Sequence, residues 1–214
     1  MKLHRFTFNP FQENTYIAWC EETLECAIID PGTYDSNDHA QVKSFIDKLN
    51  LKPKFLLGTH AHIDHIFGNW WVKQQYNVPY YLHEEDSIMI QRSDTMSALW
   101  NLNYTQSPLP DHYLNHLDTI QIGNSQFEVR FVPGHAPGHV IFVSHEDQFS
   151  VVGDTIFQGS IGRTDLPGGN HDLLIEKINE QIFSLPDAYT LFPGHGVETT
   201  VESEKQFNPF FNPK

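Results

Sequence analysis

Residues 55–69 read FLLGTHAHIDHIFGN: a short apolar run, a glycine and a threonine, and then His60, His62, Asp64 and His65 within six positions. The apolar run predicts a buried strand, and the residues after it predict a loop that opens into a helix at IFGNWWVKQQY, just past His65. In extended or looping backbone, residues two apart point the same way, so His60 and His62 can hold one ion together. Asp64 and His65, at the junction of loop and helix, turn elsewhere and suit a second ion. Imidazole and carboxylate are donors for zinc and for non-haem iron or manganese, and no thiolate stands among them.

The same arrangement recurs down the chain. Four apolar runs end in a small residue followed by a potential ligand: FLLGT before His60, FVPG before His135, VVG before Asp154 and LFPG before His195. Ligands at strand ends sit on rigid elements yet face a common edge, where loops form a pocket. Each ion needs further ligands from distant segments, for which His135 and His195 are candidates, and Asp154 has two oxygens, enough to bridge a pair of ions. That count leaves coordination positions for water and substrate, which marks a catalytic rather than a structural site. His139, four residues after His135, is read as a support. His4, His39, His83, His112, His116, His145 and His171 are background.

Around these runs the chain reads as an alternation of strands and helices. RFTFN, NTYIAW and ECAIID predict strands, and SNDHAQVKSFIDKLN carries Val42, Phe45, Ile46 and Leu49 at helical spacing. YYLH predicts a further strand and EEDSIMIQRSDTMSALWNL a helix. Residues 103–115 read as a long loop. TIQI, FEVRFVPG, HVIFVS, FSVVGD and TLFPGHG predict strands, and DLLIEKINEQIFSL a helix that Pro186 ends. A last helix is predicted from Thr199, with Glu202 closing a capping box. The 214 residues are read as one domain, with the apolar tail FNPFFNP packed on it.

Composition narrows the function classes. The formal net charge is −14 and no basic run occurs, which argues against nucleic acid and anionic membrane as partners. The N-terminus lacks a continuous apolar core of the signal-peptide kind, and no window approaches a membrane span. Only Cys20 and Cys26 are present, flanking EETLE, which reads as a hairpin turn. Two cysteines make no zinc site, so they are read as half-buried strand residues in a cytoplasmic protein.

THAHIDH resembles the H-x-H-x-D-H motif of the metallo-β-lactamase superfamily. PGHAPGH, GDTIFQGSIGRTD and FPGHG resemble its later motifs in the same order, and NPFQENTY and IIDPG its N-terminal strands. The similarity spans nearly the whole chain and is strongest to the glyoxalase II-like (hydroxyacylglutathione hydrolase-like) branch. It implies an α/β fold, a four-layer αβ/βα sandwich of two mixed sheets with helices outside. By motif position, His60, His62 and His135 resemble the ligands of a first metal, and Asp64, His65 and His195 those of a second. Asp154 resembles the bridge, where true β-lactamases of the superfamily usually carry a cysteine, so the carboxylate leans away from antibiotic hydrolysis. Asp30, at the end of CAIID, resembles a residue that supports a metal-binding histidine, with a simple Asp-Pro-Gly turn as the equal alternative.

The resemblance implies two divalent ions, zinc first and iron or manganese as alternatives, with a bridging hydroxide that attacks a thioester or small ester. Asp64 and Asp154 would orient that hydroxide. A thiol with pKa about 8.5 leaves without much help from an acid, which favours a thioester over an amide. The 19 residues after His195 are too few for the helical domain that contacts glutathione in full-length glyoxalase II. Arg163 is a candidate for a substrate carboxylate, with a salt bridge to Asp165 as the preferred role. The rival readings are a mononuclear iron persulfide dioxygenase, a lactonase and, from a different class, a non-catalytic metal-binding module.

Overall fold

The structure, a computed structural model, describes residues 1–212. The N-terminal half contributes β1 (Lys2–Phe8), β2 (Glu13–Trp19), β3 (Glu25–Ile29), α1 (Ser36–Lys48), β4 (Lys52–Leu57), α2 (Ile63–Ile66), α3 (Asn69–Tyr76), β5 (Tyr80–His83), α4 (Ser87–Leu99) and β6 (His112–Leu114). Its six strands form one sheet in chain order, antiparallel from β1 to β3 and parallel from β3 to β6. Parallel neighbours need crossovers, and α1, then α2 with α3, then α4 supply them.

The C-terminal half contributes β7 (Thr119–Ile122), β8 (Ser125–Phe131), β9 (Val140–Ser144), β10 (Phe149–Gly153), β11 (Ile156–Phe157), β12 (Ser160–Ile161), α5 (His171–Lys177), β13 (Thr190–Pro193), β14 (Thr199–Thr200) and α6 (Val201–Phe207). Its sheet runs β14-β13-β10-β9-β8-β7, with β11 and β12 as a separate hairpin. β8 and β10 are each antiparallel to β9, and β13 is parallel to β10. The C-terminal ends of β8, β10 and β13 therefore lie at one edge.

Three apolar clusters define four layers. Val42, Ile46, Val72 and Ile90 of the helices pack with Ile17, Ile28 and Leu56 on the outer face of the first sheet. Tyr16, Ala18, Ile29 and Leu57 meet Phe127, Val129, Phe142 and Val151 between the sheets. Ile141, Val143 and Val152 pack against Leu174, Ile178, Ile182 and Val201 outside the second. The period-two alternation of Tyr16, Ile17 and Ala18 thus serves two different cores. The α/β sandwich and its layer order agree with the expectation.

Local departures have physical causes. The helix expected after His65 starts earlier, at Ile63, makes one turn, and restarts at Asn69. The break lies at Gly68, whose N–H donates to the Pro31 carbonyl at 2.7 Å, an approach a side chain would obstruct. Residues 112–114 of the expected loop form β6 through their pairing with β5. The long helix ending before Pro186 is α5 followed by wider, π-type turns over Ile178–Ile182. The last helix is capped by Thr200, which accepts from the Ser203 N–H. The Thr199 hydroxyl donates to Glu204 instead, so Glu202 closes no capping box. Cys20 and Cys26 are free thiols that are fully buried rather than half-buried, next to the expected hairpin turn. In the tail, Phe211 packs on the outer core of the second sheet while Phe207 is exposed; Pro213 lies outside the described residues.

Candidate metal centre

The expected ligands come from strand ends. β4 leads through Thr59 to His60 and His62, and Asp64 and His65 sit on the single turn of α2. β8 leads to His135, β10 ends at Gly153 before Asp154, and β13 ends at Pro193 before His195. The backbone of His195 is also tied to the first sheet, where it bridges Glu13. Asn14 fixes the same loop: its N–H donates to the Gly194 carbonyl, and its amide donates to Pro193 and Gly196.

Among the described residues, two of the three donor groups at this edge are His60 with His62 and His135, and Asp64 with His65 and His195; the third, Asp30 with His60 and His65, shares its rings with them. Within each group the atoms lie within 4.8 Å of one another. In the first, His62 Nδ1 lies 2.8 Å from His135 Nε2. In the second, Asp64 Oδ2 lies 3.2 Å from His195 Nε2 and 3.7 Å from His65 Nε2. Asp154 reaches both: Oδ2 is 3.5 Å from His135 Nε2 and from His195 Nε2, and Oδ1 is 3.5 Å from His65 Nε2. Two donors each about 2.1 Å from one tetrahedral ion stand about 3.4 Å apart, close to these spacings. Nε2 of His60, Nε2 of His65 and Oδ1 of Asp154 are buried with no hydrogen-bond partner, so an ion pair would satisfy atoms the protein leaves unpaired. The residues fit a pair of metal ions.

The far nitrogens assign the tautomers. Thr59 gives its hydroxyl proton to Asp30 Oδ2 at 2.6 Å, so its oxygen accepts from His60 Nδ1 at 3.0 Å. His135 Nδ1 donates to the Arg163 carbonyl, His195 Nδ1 to the Phe11 carbonyl, and His65 Nδ1 to Asp30 Oδ2 at 3.3 Å. Each leaves an Nε2 lone pair pointing into the cluster, the arrangement that fixes ring direction and raises donor basicity. Asp30 therefore does more than make a turn: it also accepts from the Thr59 N–H and so holds two rings. His139 stands behind the cluster and accepts the Asp154 N–H at 3.0 Å.

The two groups differ in charge. Burial pushes His60, His62 and His135 down, His62 to about 3, so these rings stay neutral. Burial also opposes a proton on His65 and His195, but Asp154 and Asp64 outweigh it and raise both. Burial disfavours the charge on Asp154 as well, yet His65, His135 and His195 hold its carboxyl far below the usual range.

Several residues here carried no signal in the sequence. Glu13 is fully buried with Oε1 3.8 Å from His65 Nδ1, and burial raises its pKa. Asp86 accepts the Ala61 N–H at 2.8 Å and the Gly138 N–H at 2.5 Å, joining the His60–His62 loop to the His135–His139 loop. Burial pushes its carboxyl up to about 7. Arg163 makes a bidentate, exposed pair with Asp165, as preferred in the sequence reading.

A cavity of about 740 Å³ opens onto the ligand atoms of His62, Asp64, His135, Asp154 and His195, and α4 forms its opposite wall. No described helix is long and apolar enough to cross a membrane.

The sequence model of the metallo-beta-lactamase superfamily matches residues 8–195. The chain is 34% identical to the hydroxyacylglutathione hydrolase GloC of Haemophilus influenzae, over 100% of both chains. Among solved structures it is similar to the BLEG-1 B3 metallo-beta-lactamase, with a TM-score of 0.89 and 33% identity over 98% of this chain and 99% of that one. It is also similar to TTHA1623 in a di-iron-bound form, with a TM-score of 0.86 and 34% identity over 97% and 99%. With donors for two ions at one sheet edge and this agreement along its length, the chain belongs to the metallo-beta-lactamase superfamily.

Proposed function

We propose that the chain is a metal-dependent thioester hydrolase that acts on S-acylglutathione or a related small thioester or ester in the cytoplasm. In this reading His60, His62 and His135 would hold one ion, Asp64, His65 and His195 would hold the other, and Asp154 would serve both. The observation that carries it is Asp154, whose two oxygens face both donor groups while His139 fixes its backbone. A bound pair of divalent ions supplies hydroxide near neutral pH and polarises a carbonyl. Zinc is our assignment for the pair; iron and manganese accept the same donors, and the di-iron form of TTHA1623 supports iron as the first alternative.

The chain's own groups then have defined tasks. Asp64 and Asp154 stay ionised and orient the attacking oxygen. Asp30 and Thr59 keep His60 and His65 in register. Among the described cavity residues there is no lysine, glutamate or tyrosine to protonate a leaving nitrogen. A thiolate leaves without that proton, which supports a thioester over an amide. The full-length similarity to GloC supports the same class. The similarity to BLEG-1 supports β-lactam hydrolysis as a second reading.

The test is metal content followed by turnover. About two ions per chain, with hydrolysis of S-lactoylglutathione or another thioester well above that of a β-lactam, supports the proposal. One iron per chain with oxygen uptake on a persulfide would replace it with the dioxygenase reading. Faster opening of a β-lactam or of a lactone would replace the substrate class. Full metal occupancy without turnover of any of these would revive the binding module.

A further inference from the structure

The α4 side of the cavity is mainly apolar, with Arg92 and Ser93 as its polar members. α4 and the residue after it place Ile88, Met96 and Trp100 four or eight residues apart, with Met89 beside them, all lining the cavity. That spacing puts them on one helix face. The opposite rim carries Phe11 and Phe157, and the rings of Phe11 and Trp100 approach to 5.9 Å across the mouth. Phe11, Ile88 and Trp100 are 39%, 42% and 42% exposed, an apolar rim open to solvent on the cavity that the candidate ligands also line. Exposed large apolar side chains gathered at a cavity mouth mark a binding surface.

Two of the polar side chains lining the cavity are already engaged. The Ser93 hydroxyl donates to the Ile90 carbonyl and meets the Tyr104 hydroxyl, and Arg163 is paired with Asp165. Arg92, on the exposed side of the rim, has no ion pair among the described residues. A small hydroxylated acyl group would find few groups here to bond and would leave most of the wall wet. An apolar chain would cover it.

We propose that this wall is an acyl subsite, and that the substrate's acyl group is an extended apolar chain seated along Ile88, Met89, Met96 and Trp100 under Phe11. This rests on the thioester reading for the reaction but not for the binding. The apolar face is continuous with the donor cluster, so an acyl carbonyl placed among the ligands points its chain along α4. Each methylene removed from water strengthens binding roughly fourfold. Hexanoyl should therefore exceed acetyl by on the order of 100-fold in kcat/KM.

The experiment uses the metal-loaded chain with S-acylglutathiones from acetyl and lactoyl to hexanoyl. In parallel, calorimetry measures binding of the non-hydrolysable thioethers S-methyl- and S-hexylglutathione. The expected results are a steep rise with acyl length and tighter binding of the hexyl thioether by at least tenfold. Trp100→Ala and Ile88→Ser, at half-exposed positions that the fold tolerates, should flatten both gradients. Leu109→Ser, an exposed apolar site that does not line the cavity, should not. Turnover that ignores acyl length or favours lactoyl, with the two thioethers binding alike, overturns the subsite and leaves the thioester reading intact. No turnover of any thioester, with the hexyl preference present and lost in Trp100→Ala, sinks the thioester reading and leaves the subsite standing. No turnover and no hexyl preference overturns both.

Discussion

Gly194, the residue before His195, offers a sharp test of the shared carboxylate. A Cβ built there would fall inside contact distance of Asp154 Oδ1 and 2.6 Å from His65 Cε1. The backbone at Gly194 is not left-handed, so alanine fits the chain path and the whole effect is steric. To reach ordinary contact the Asp154 carboxylate must retreat by about 1 Å, a displacement that costs on the order of 100-fold when reacting groups are involved. Crowding of this kind destabilises by about 1–3 kcal/mol, or about 2–12 °C in Tm for a chain of this size. The expected outcome for Gly194→Ala is a folded protein that keeps fewer than two ions per chain and loses about 100-fold in rate. Gly159→Ala separates clash from strain: Gly159 has φ 68° but nothing within 4 Å. It should lose about 1–2 kcal/mol and keep its metal. If Gly194→Ala retains two ions at the parent's affinity and its rate within a few-fold, Asp154 does not link the two donor groups.

Asp86→Asn leaves one of two backbone N–H groups facing an amide NH₂, which should loosen the two metal loops and weaken metal retention about 10–100-fold, read by competition with a chelating dye. Unchanged affinity would reduce Asp86 to a structural tie. Removing the metal with a chelator should keep the far-UV circular dichroism, because the three apolar cores do not depend on the site. At a hundredfold excess over Kd an ion adds about 2.7 kcal/mol, so Tm should fall by roughly 5–10 °C per ion lost. Lowering the pH should empty the sites in order. His65 and His195 have raised pKa values, so protons compete with metal there at higher pH than at His60, His62 and His135, whose values are lowered. Metal per chain after dialysis from pH 8 to pH 5 should step from two to one before reaching zero, and a single concerted loss would contradict the asymmetry.

What the sequence revealed and what it hid follow from the range of the interactions. His60, His62, Asp64 and His65 are legible because their donor chemistry is packed into one short stretch behind a strand, and His135, Asp154 and His195 repeat the strand-end pattern. Asp86 is not legible. It is the third acid in HEEDS, where Glu84 and Glu85 face solvent, and its partners Ala61 and Gly138 lie 25 and 52 residues away. Glu13 and Asn14 read as ordinary strand residues, since only the approach of β2 to the His195 loop gives them their contacts. The break between α2 and α3 at Gly68 and the shift from Thr199 to Thr200 as a cap are likewise set by partners, Pro31 and Glu204, that the pattern does not show.

The crowding around His65 ties these observations to one electrostatic problem. Asp30, Asp64 and Asp154 each place an oxygen within 3.7 Å of its ring nitrogens, and Glu13 stands at 3.8 Å, all four being carboxyls at least partly withdrawn from water. Four such groups around one imidazole repel one another strongly unless positive charge sits among them. In the metal-free chain the carboxylates raise the pKa of His65 and His195 against the effect of burial, and burial raises that of Glu13, all in the direction that lessens this repulsion. Divalent ions lessen it without neutralising the carboxylates. The first donor group carries less of this excess: burial lowers the pKa of all three rings, and the Asp154 and Asp64 charges near His62 and His135 do not outweigh it. The same cluster of carboxyls thus makes the second ion the more strongly needed by the fold and the more easily displaced by acid.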